Sequence, residues 1–331
     1  MATLLVNKRI CFMAFSRSVT QVFSLSRTKL ISKNALHTRT LCNATVDSGV
    51  QYLARGNSKA IAYRTHHPTD MSSSSLPGIV FLTDFQSNMK EPKSQALESY
   101  CQQKNIAYVR FDYQGCGESH SDLTDATLTD WKGDVLAVID ELTAGPQILV
   151  GFGMGGWLMA QAAKERPHRV QAMVGIATWA DLPGSVDKWA KPKQAQELGE
   201  PKESFHVKAP DFSFFMSQKF SHDIQKHSSL FEDDTSSKLA KCPVRLLHGM
   251  KDDHVPYNSS IQLAQHLTNR DVEVVLVKSA GHRFDQPDNI QLLFEMLDYL
   301  IYGAEEARKL AISSWTAFSV YSSQHRHNPY V

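Results

Sequence analysis

The first 46 residues contain no Asp or Glu, while seven basic side chains (Lys8, Arg9, Arg17, Arg27, Lys29, Lys33 and Arg39) are scattered among many Ser and Thr. That missing acidity predicts a mitochondrial transit peptide over residues 1–46, since basic residues interrupt every apolar run too early for a secretory signal. A basic arm that is never cleaved is the alternative. Long apolar runs are also missing: none approaches the ~18 residues of a membrane-spanning helix, so no membrane span is expected. Net charge is close to nil, +1 over 331 residues, and no long basic run follows the leader, which argues against nucleic acid as a partner. Cysteine is scarce. The five present (Cys11, Cys42, Cys101, Cys116 and Cys242) show no C-x-x-C spacing, so neither a metal site nor a disulfide framework is expected, and nothing calls for a cofactor.

What is present describes a globular chain with a full core, at 42% hydrophobic residues. Ala60-Ile-Ala-Tyr-Arg64 reads as a strand and a Ser-rich turn follows (Ser72 to Ser75). Further strands are predicted to end near 83, 111, 151, 177, 248 and 277, alternating with helices over 92–104, 129–143 and 289–302. Strands that alternate with helices imply a mostly parallel sheet covered on both faces, and apolar runs without strict alternation fit strands buried on both sides. Residues 178–241 break the rhythm, being rich in Lys, Ser, Asp and Phe with weak helical patterning. They read as an insertion in which Phe212, Phe214, Phe215 and Met216 either line an apolar slot or fasten the insertion to the core. Residues 304–331 open helically and then lose any period.

Function is concentrated in residues 146–157, Pro-Gln-Ile-Leu-Val-Gly-Phe-Gly-Met-Gly-Gly-Trp. A short apolar strand enters a Gly-rich turn and leaves as a helix, the frame of the nucleophile elbow G-x-S-x-G. Gly151 and Gly155 keep the frame, but Gly153 stands where the serine belongs. Alone, this pattern could also be a dinucleotide loop or a close helix–sheet contact. Two later segments narrow it. His248-Gly-Met-Lys-Asp252-Asp-His-Val-Pro256 follows the apolar run Val244 to Leu247, and Ser279-Ala-Gly-His282 follows Val272 to Val277. Elbow, acid and histidine, each after its own strand, follow the order of an α/β-hydrolase triad. Asp252 and His282 are the candidate acid and base, with Asp253 as rival for the acid. Phe111-Asp-Tyr-Gln-Gly-Cys-Gly-Glu-Ser119 matches a loop common in that fold, and Ser119, Ser121 and Cys116 are the side chains to which a nucleophile could have migrated.

Gln147-Ile-Leu-Val-Gly, Gly155-Gly-Trp-Leu-Met and Arg245-Leu-Leu-His-Gly-Met-Lys-Asp-Asp-His-Val-Pro256 resemble mitochondrial serine esterases of the alpha/beta-hydrolase domain-containing protein 10 type. The resemblance covers roughly 58–302 and leaves 303–331 without a role. It implies an α/β-hydrolase domain with 178–241 as a cap over the site. It also implies activity on S-palmitoyl thioesters and acyl glucuronides, so that the substrate would be a small-molecule acyl ester or an S-acylated protein. Gly153 then stands at the nucleophile position, with Asp252 and His282 catalytic and the N–H groups of Phe85 and Met154 at the oxyanion-hole positions. The family has glycine where this chain has Asp84. An acid pointing inward there would repel a developing oxyanion. Together, the lost serine and the gained acid predict a catalytically impaired member, a pseudoenzyme that binds an acyl ligand or a protein partner. An active esterase using another nucleophile is the alternative.

Overall fold

The computed structural model describes residues 49–56, 59–69, 76–189, 204–208, 213–231 and 242–303. The expected leader, the Ser-rich turn, Phe212 and the tail beyond 303 lie outside these residues. The main sheet has eight strands: β1 (Gln51–Ala54), β2 (Ala60–His66), β3 (Gly78–Leu82), β4 (Tyr108–Phe111), β5 (Gln147–Phe152), β6 (Val170–Ile176), β9 (Val244–Gly249) and β10 (Val272–Val277). Their spatial order is β1-β2-β4-β3-β5-β6-β9-β10. Pairing is antiparallel at β1–β2 and β2–β4 and parallel from β4 to β10. This is the α/β architecture expected from the sequence. The central strands β3, β4, β5 and β9 are buried along their whole length, which is why their sequences run apolar instead of alternating.

Helices cover both faces. On one lie α2 (Leu128–Leu142) and α3 (Met154–Glu165), with Trp131, Trp157 and Leu158 in the core beneath them. On the other lie α1 (Pro92–Lys104) and the last described helix, 287–303, which bury Leu97, Leu293 and Leu297. α2 begins with a capping box: Thr127 Oγ1 accepts from Asp130 N while Asp130 reaches back to Thr127 N.

The insertion differs from its expected weak helicity. Between β6 and β9 it contains α4 (Leu182–Trp189), the antiparallel hairpin β7 (Ser204–Lys208) with β8 (Ser213–Ser217), and α5 (Gln218–Ile224). Met216 and Phe220 are buried against the α2 side of the core. β1 also went unpredicted. It is a four-residue edge strand with mostly exposed side chains, set by backbone pairing to β2 and not by apolar pattern.

One glycine explains the tight seating of α3. A Cβ on Gly155 would lie 2.3 Å from Leu82 O and 2.5 Å from Thr83 O, so the helix start approaches β3 more closely than any side chain allows. Gly155→Ala is expected to lower stability by about 1–3 kcal/mol, the usual cost of overpacking against rigid neighbours. An unchanged denaturation midpoint in urea would contradict this packing.

Candidate active site

Three strand ends converge at the C-terminal edge of the sheet. β5 runs into Gly153, whose φ of 55° and ψ of −116° form the sharp turn into α3. A positive φ suits glycine and strains any other residue. β9 leads to Asp252, fully buried, and the loop after β10 delivers His282, which is 6% exposed. His282 Nδ1 lies 2.9 Å from Asp252 Oδ2. Asp253 has no part in that bond; its described ion pair is with His254. Asp252 is anchored further by donors at Oδ1, His254 N at 2.9 Å and Val255 N at 2.8 Å. His248 Nε2 lies 3.1 Å from Asp252 Oδ2, while its Nδ1 lies 2.7 Å from Ser260 Oγ. Burial works against the charge of Asp252, but the hydrogen bonds from His248 and His282 hold its carboxyl well below the usual range.

The decisive side chain is Asp84, just beyond β3. Its Oδ1 accepts hydrogen bonds from Phe85 N at 2.7 Å and Met154 N at 2.8 Å. These are the two N–H groups assigned from sequence as oxyanion donors, and they converge on one oxygen of the protein's own carboxylate. Asp84 Oδ2 lies 2.9 Å from His282 Nε2. The acid therefore does more than repel a developing oxyanion, as expected from sequence. It takes the place of one. An ideal Cβ on Gly153 would fall 2.1 Å from Asp84 Oδ1, so this carboxylate uses the space that a side chain at 153 would need.

His282 is thus clamped between two carboxylates. Burial alone would lower its pKa, but the hydrogen bonds and charges of Asp252 and Asp84 more than reverse this and raise it to about 9. The clamp opens onto a cleft of about 580 Å³ lined by Phe85, Glu91, Lys93, Phe152, Trp179 and His254, among others. The His254 ring centroid is 4.3 Å from that of His282. Burial, then the charge on His282, lowers His254. Across the cleft Lys93 pairs with Glu91 at 3.7 Å and lies 3.7 Å from the Phe152 ring centroid. Burial raises Glu91 and lowers Lys93. Among the described residues no cluster of His, Cys, Asp or Glu could hold a metal ion.

The alpha/beta hydrolase family model matches residues 91–290. Bovine palmitoyl-protein thioesterase ABHD10, mitochondrial, is 37% identical over 269 residues, spanning 77% of this chain and 80% of the bovine protein. The human protein of the same name is 39% identical over 240 residues, 68% and 73% of the two chains. The chain belongs to the alpha/beta hydrolase family. Among solved structures, mouse alpha/beta hydrolase domain-containing protein 10 superposes with a TM-score of 0.65 at 36% identity, covering 76% of this chain and 98% of the mouse chain. The mitochondrial location expected from the leader is the one these relatives carry in their names.

Within this hydrolase fold two of the three migrated-nucleophile candidates, Ser119 and Cys116, are accounted for otherwise, while the buried Ser121 Oγ has no hydrogen-bond partner among the described residues. Ser119 Oγ donates to Asp112 O at 2.6 Å and accepts from Ala62 N at 2.8 Å. Asp112 in turn accepts from Met89 N and Glu118 N, at 2.6 and 2.8 Å, so the Phe111–Ser119 loop is a structural brace between β2 and β4. Burial pushes the Cys116 thiol up to about 12, leaving it protonated and inert at neutral pH. Sequence reasoning missed His248, Glu91 and Lys93. His248 had a signal, four residues before the acid at a strand end, whereas Glu91 and Lys93 read only as the start of a helix.

Proposed function

We propose that this chain is a catalytically impaired relative of the mitochondrial palmitoyl-protein thioesterases, one that binds an acyl group without forming an acyl-enzyme. The ligand would be a small-molecule acyl ester, an acyl glucuronide or an S-acylated protein. Residues 1–46 as a removable leader and 178–241 as a cap belong to the same proposal. The observation that carries it is the Asp84 carboxylate seated on Phe85 N and Met154 N. Acyl transfer needs a nucleophile, a neutral base and donors for the oxyanion. Gly153 supplies no nucleophile, the donors are occupied, and a histidine titrating near 9 is only about 1% neutral at pH 7. Loss of a triad nucleophile alone costs on the order of 10⁶ in turnover.

Binding is a different matter. Phe85, Phe152 and Trp179 give the cleft apolar surface, and a recess of about 390 Å³ shares Trp179 and His254 with it and adds Phe231, Val255 and Pro256. This supports an acyl chain lying across Trp179. A fluorophosphonate probe, which reacts with an activated serine hydroxyl, is expected to leave the full chain unlabelled, and palmitoyl-thioester hydrolysis should stay near the buffer rate. Labelling, or turnover typical of a serine esterase, would mean that another residue serves as nucleophile and would end this reading.

A further inference from the structure

The same clamp suits a different reaction. Asp84 Oδ1 is fixed by two N–H groups, Oδ2 lies 2.9 Å from His282 Nε2, and the residue lines the cleft. The side chain is 13% exposed. An oxygen nucleophile therefore sits within reach of a His–Asp pair, in space that Gly153 leaves open.

Its geometry selects the electrophile. Attack by Oδ2 on a carbonyl carbon would create an oxyanion on the substrate, and the two converging N–H donors are already spent on Oδ1. Attack on a saturated carbon creates no such oxyanion, because the negative charge develops on the leaving atom instead. An epoxide fits best, since its leaving oxygen stays tethered beside the attacked carbon and needs one proton. His282, protonated at neutral pH, carries that proton at Nε2, facing Asp84.

We propose that Asp84 is a catalytic nucleophile and that the chain hydrolyses epoxides of apolar compounds through an ester on that residue. In the first step Oδ2 forms a C–O bond to one epoxide carbon, that carbon's bond to the ring oxygen breaks, and the resulting alkoxide takes the proton from His282 Nε2. This leaves a neutral hydroxyalkyl ester on Asp84 and a neutral imidazole. In the second step His282, oriented by Asp252 through Nδ1, takes a proton from water as the water oxygen attacks Cγ of Asp84. The charge of the tetrahedral adduct develops on Oδ1, where Phe85 N and Met154 N already point. Collapse breaks the ester bond, and the departing diol oxygen takes the proton from His282. The acid proton left on Asp84 passes to His282 and restores the starting pair. The net reaction is epoxide plus water to diol. The donors useless for acyl transfer are correctly placed for hydrolysis of the protein's own ester, and Phe85, Phe152 and Trp179 favour an aryl or alkyl substituent.

This proposal rests on the reading that serine-type acyl transfer is lost, and the test separates the two. The full chain, with styrene oxide as probe, is taken through a single turnover in ¹⁸O-water. The expected result is a diol whose new oxygen is ¹⁶O from Asp84, with ¹⁸O in the peptide that contains residue 84. Diol formation should exceed that of Asp84→Asn by at least about 10³-fold. His282→Gln removes both the acid of the first step and the base of the second, so it is expected to form neither diol nor the peptide heavier by one epoxide; should that variant fail to fold, the isotope result on the unaltered chain still decides. ¹⁸O in the first-turnover diol with none in the protein would overturn the proposal, as would the absence of diol above buffer. Absence of diol without fluorophosphonate labelling sinks this inference alone. Fluorophosphonate labelling sinks the impaired-thioesterase reading, and this one with it.

Discussion

Gly153→Ser combined with Asp84→Gly is expected to confer fluorophosphonate labelling and to raise acyl-thioester hydrolysis by at least on the order of 10³-fold over the unaltered chain. The double change returns a hydroxyl to the turn after β5 and frees Phe85 N and Met154 N for a substrate oxyanion. It also removes one of the two carboxylates that raise His282 to about 9, bringing the imidazole back toward the range of a general base. Gly153→Ser alone should restore nothing. The turn keeps an elbow-like backbone, and from sequence it looks ready to accept a serine. The packing opposes it, because the new Cβ would fall 2.1 Å from Asp84 Oδ1 and 2.2 Å from Cγ. The single variant is expected to be unlabelled and less stable, adding a clash to the cost of a side chain at positive φ. Asp84→Gly alone should also stay unlabelled. If Gly153→Ser by itself labels as strongly as the pair, Asp84 is not the obstacle described here.

The second large effect concerns pH. The folded pKa of His282 is raised from 6.5 to about 9, so the clamp contributes stability in full below pH ~6.5 and loses it as pH climbs through about 9. The amount is roughly 3 kcal/mol. Asp252 is shifted the other way; its contribution is present above its unfolded pKa and is lost in acid. In Asp84→Asn the imidazolium keeps Asp252 but loses its second anionic partner, so the folded pKa falls and the alkaline loss shrinks. Denaturant unfolding at pH 6 and pH 10 is expected to show a smaller drop for Asp84→Asn than for the unaltered chain. Histidine resonances followed by NMR should show one imidazole whose midpoint moves down in the variant. Equal drops with an unmoved midpoint would show that Asp84 does not hold the proton on His282.

The elbow frame, the acid and the histidine were legible because each follows an apolar strand that ends in a short Gly-bearing loop, and a parallel sheet delivers such loops to one edge. Asp84 was legible only as an oddity at the end of β3. That its carboxylate fills the oxyanion donors depends on a hydrogen bond to Met154 N, 70 residues away in sequence, and on the empty volume at Gly153. Neither leaves a mark in any local pattern. His248 was hidden for a related reason. It reads as the end of a strand until Asp252, Val255 and Ser260 close around its ring. The β7–β8 hairpin escaped because Ser204–Lys208 and Ser213–Ser217 are five residues each, too short to stand out in a Lys- and Ser-rich stretch.

The close approach between Gly153 and Asp84 also constrains the order in which these two positions can change. Serine at 153 and aspartate at 84 compete for one volume, so a chain that carries both is strained. A serine-bearing ancestor could reach the present pair smoothly only by giving up its hydroxyl first and acquiring the carboxylate afterwards. Return by the same door is closed: a codon change restoring serine meets an occupied space and brings no activity on which selection could act. On the proposed descent from a serine esterase, the aspartate would work as a ratchet, turning the loss of one atom into a lasting departure from the ancestral chemistry.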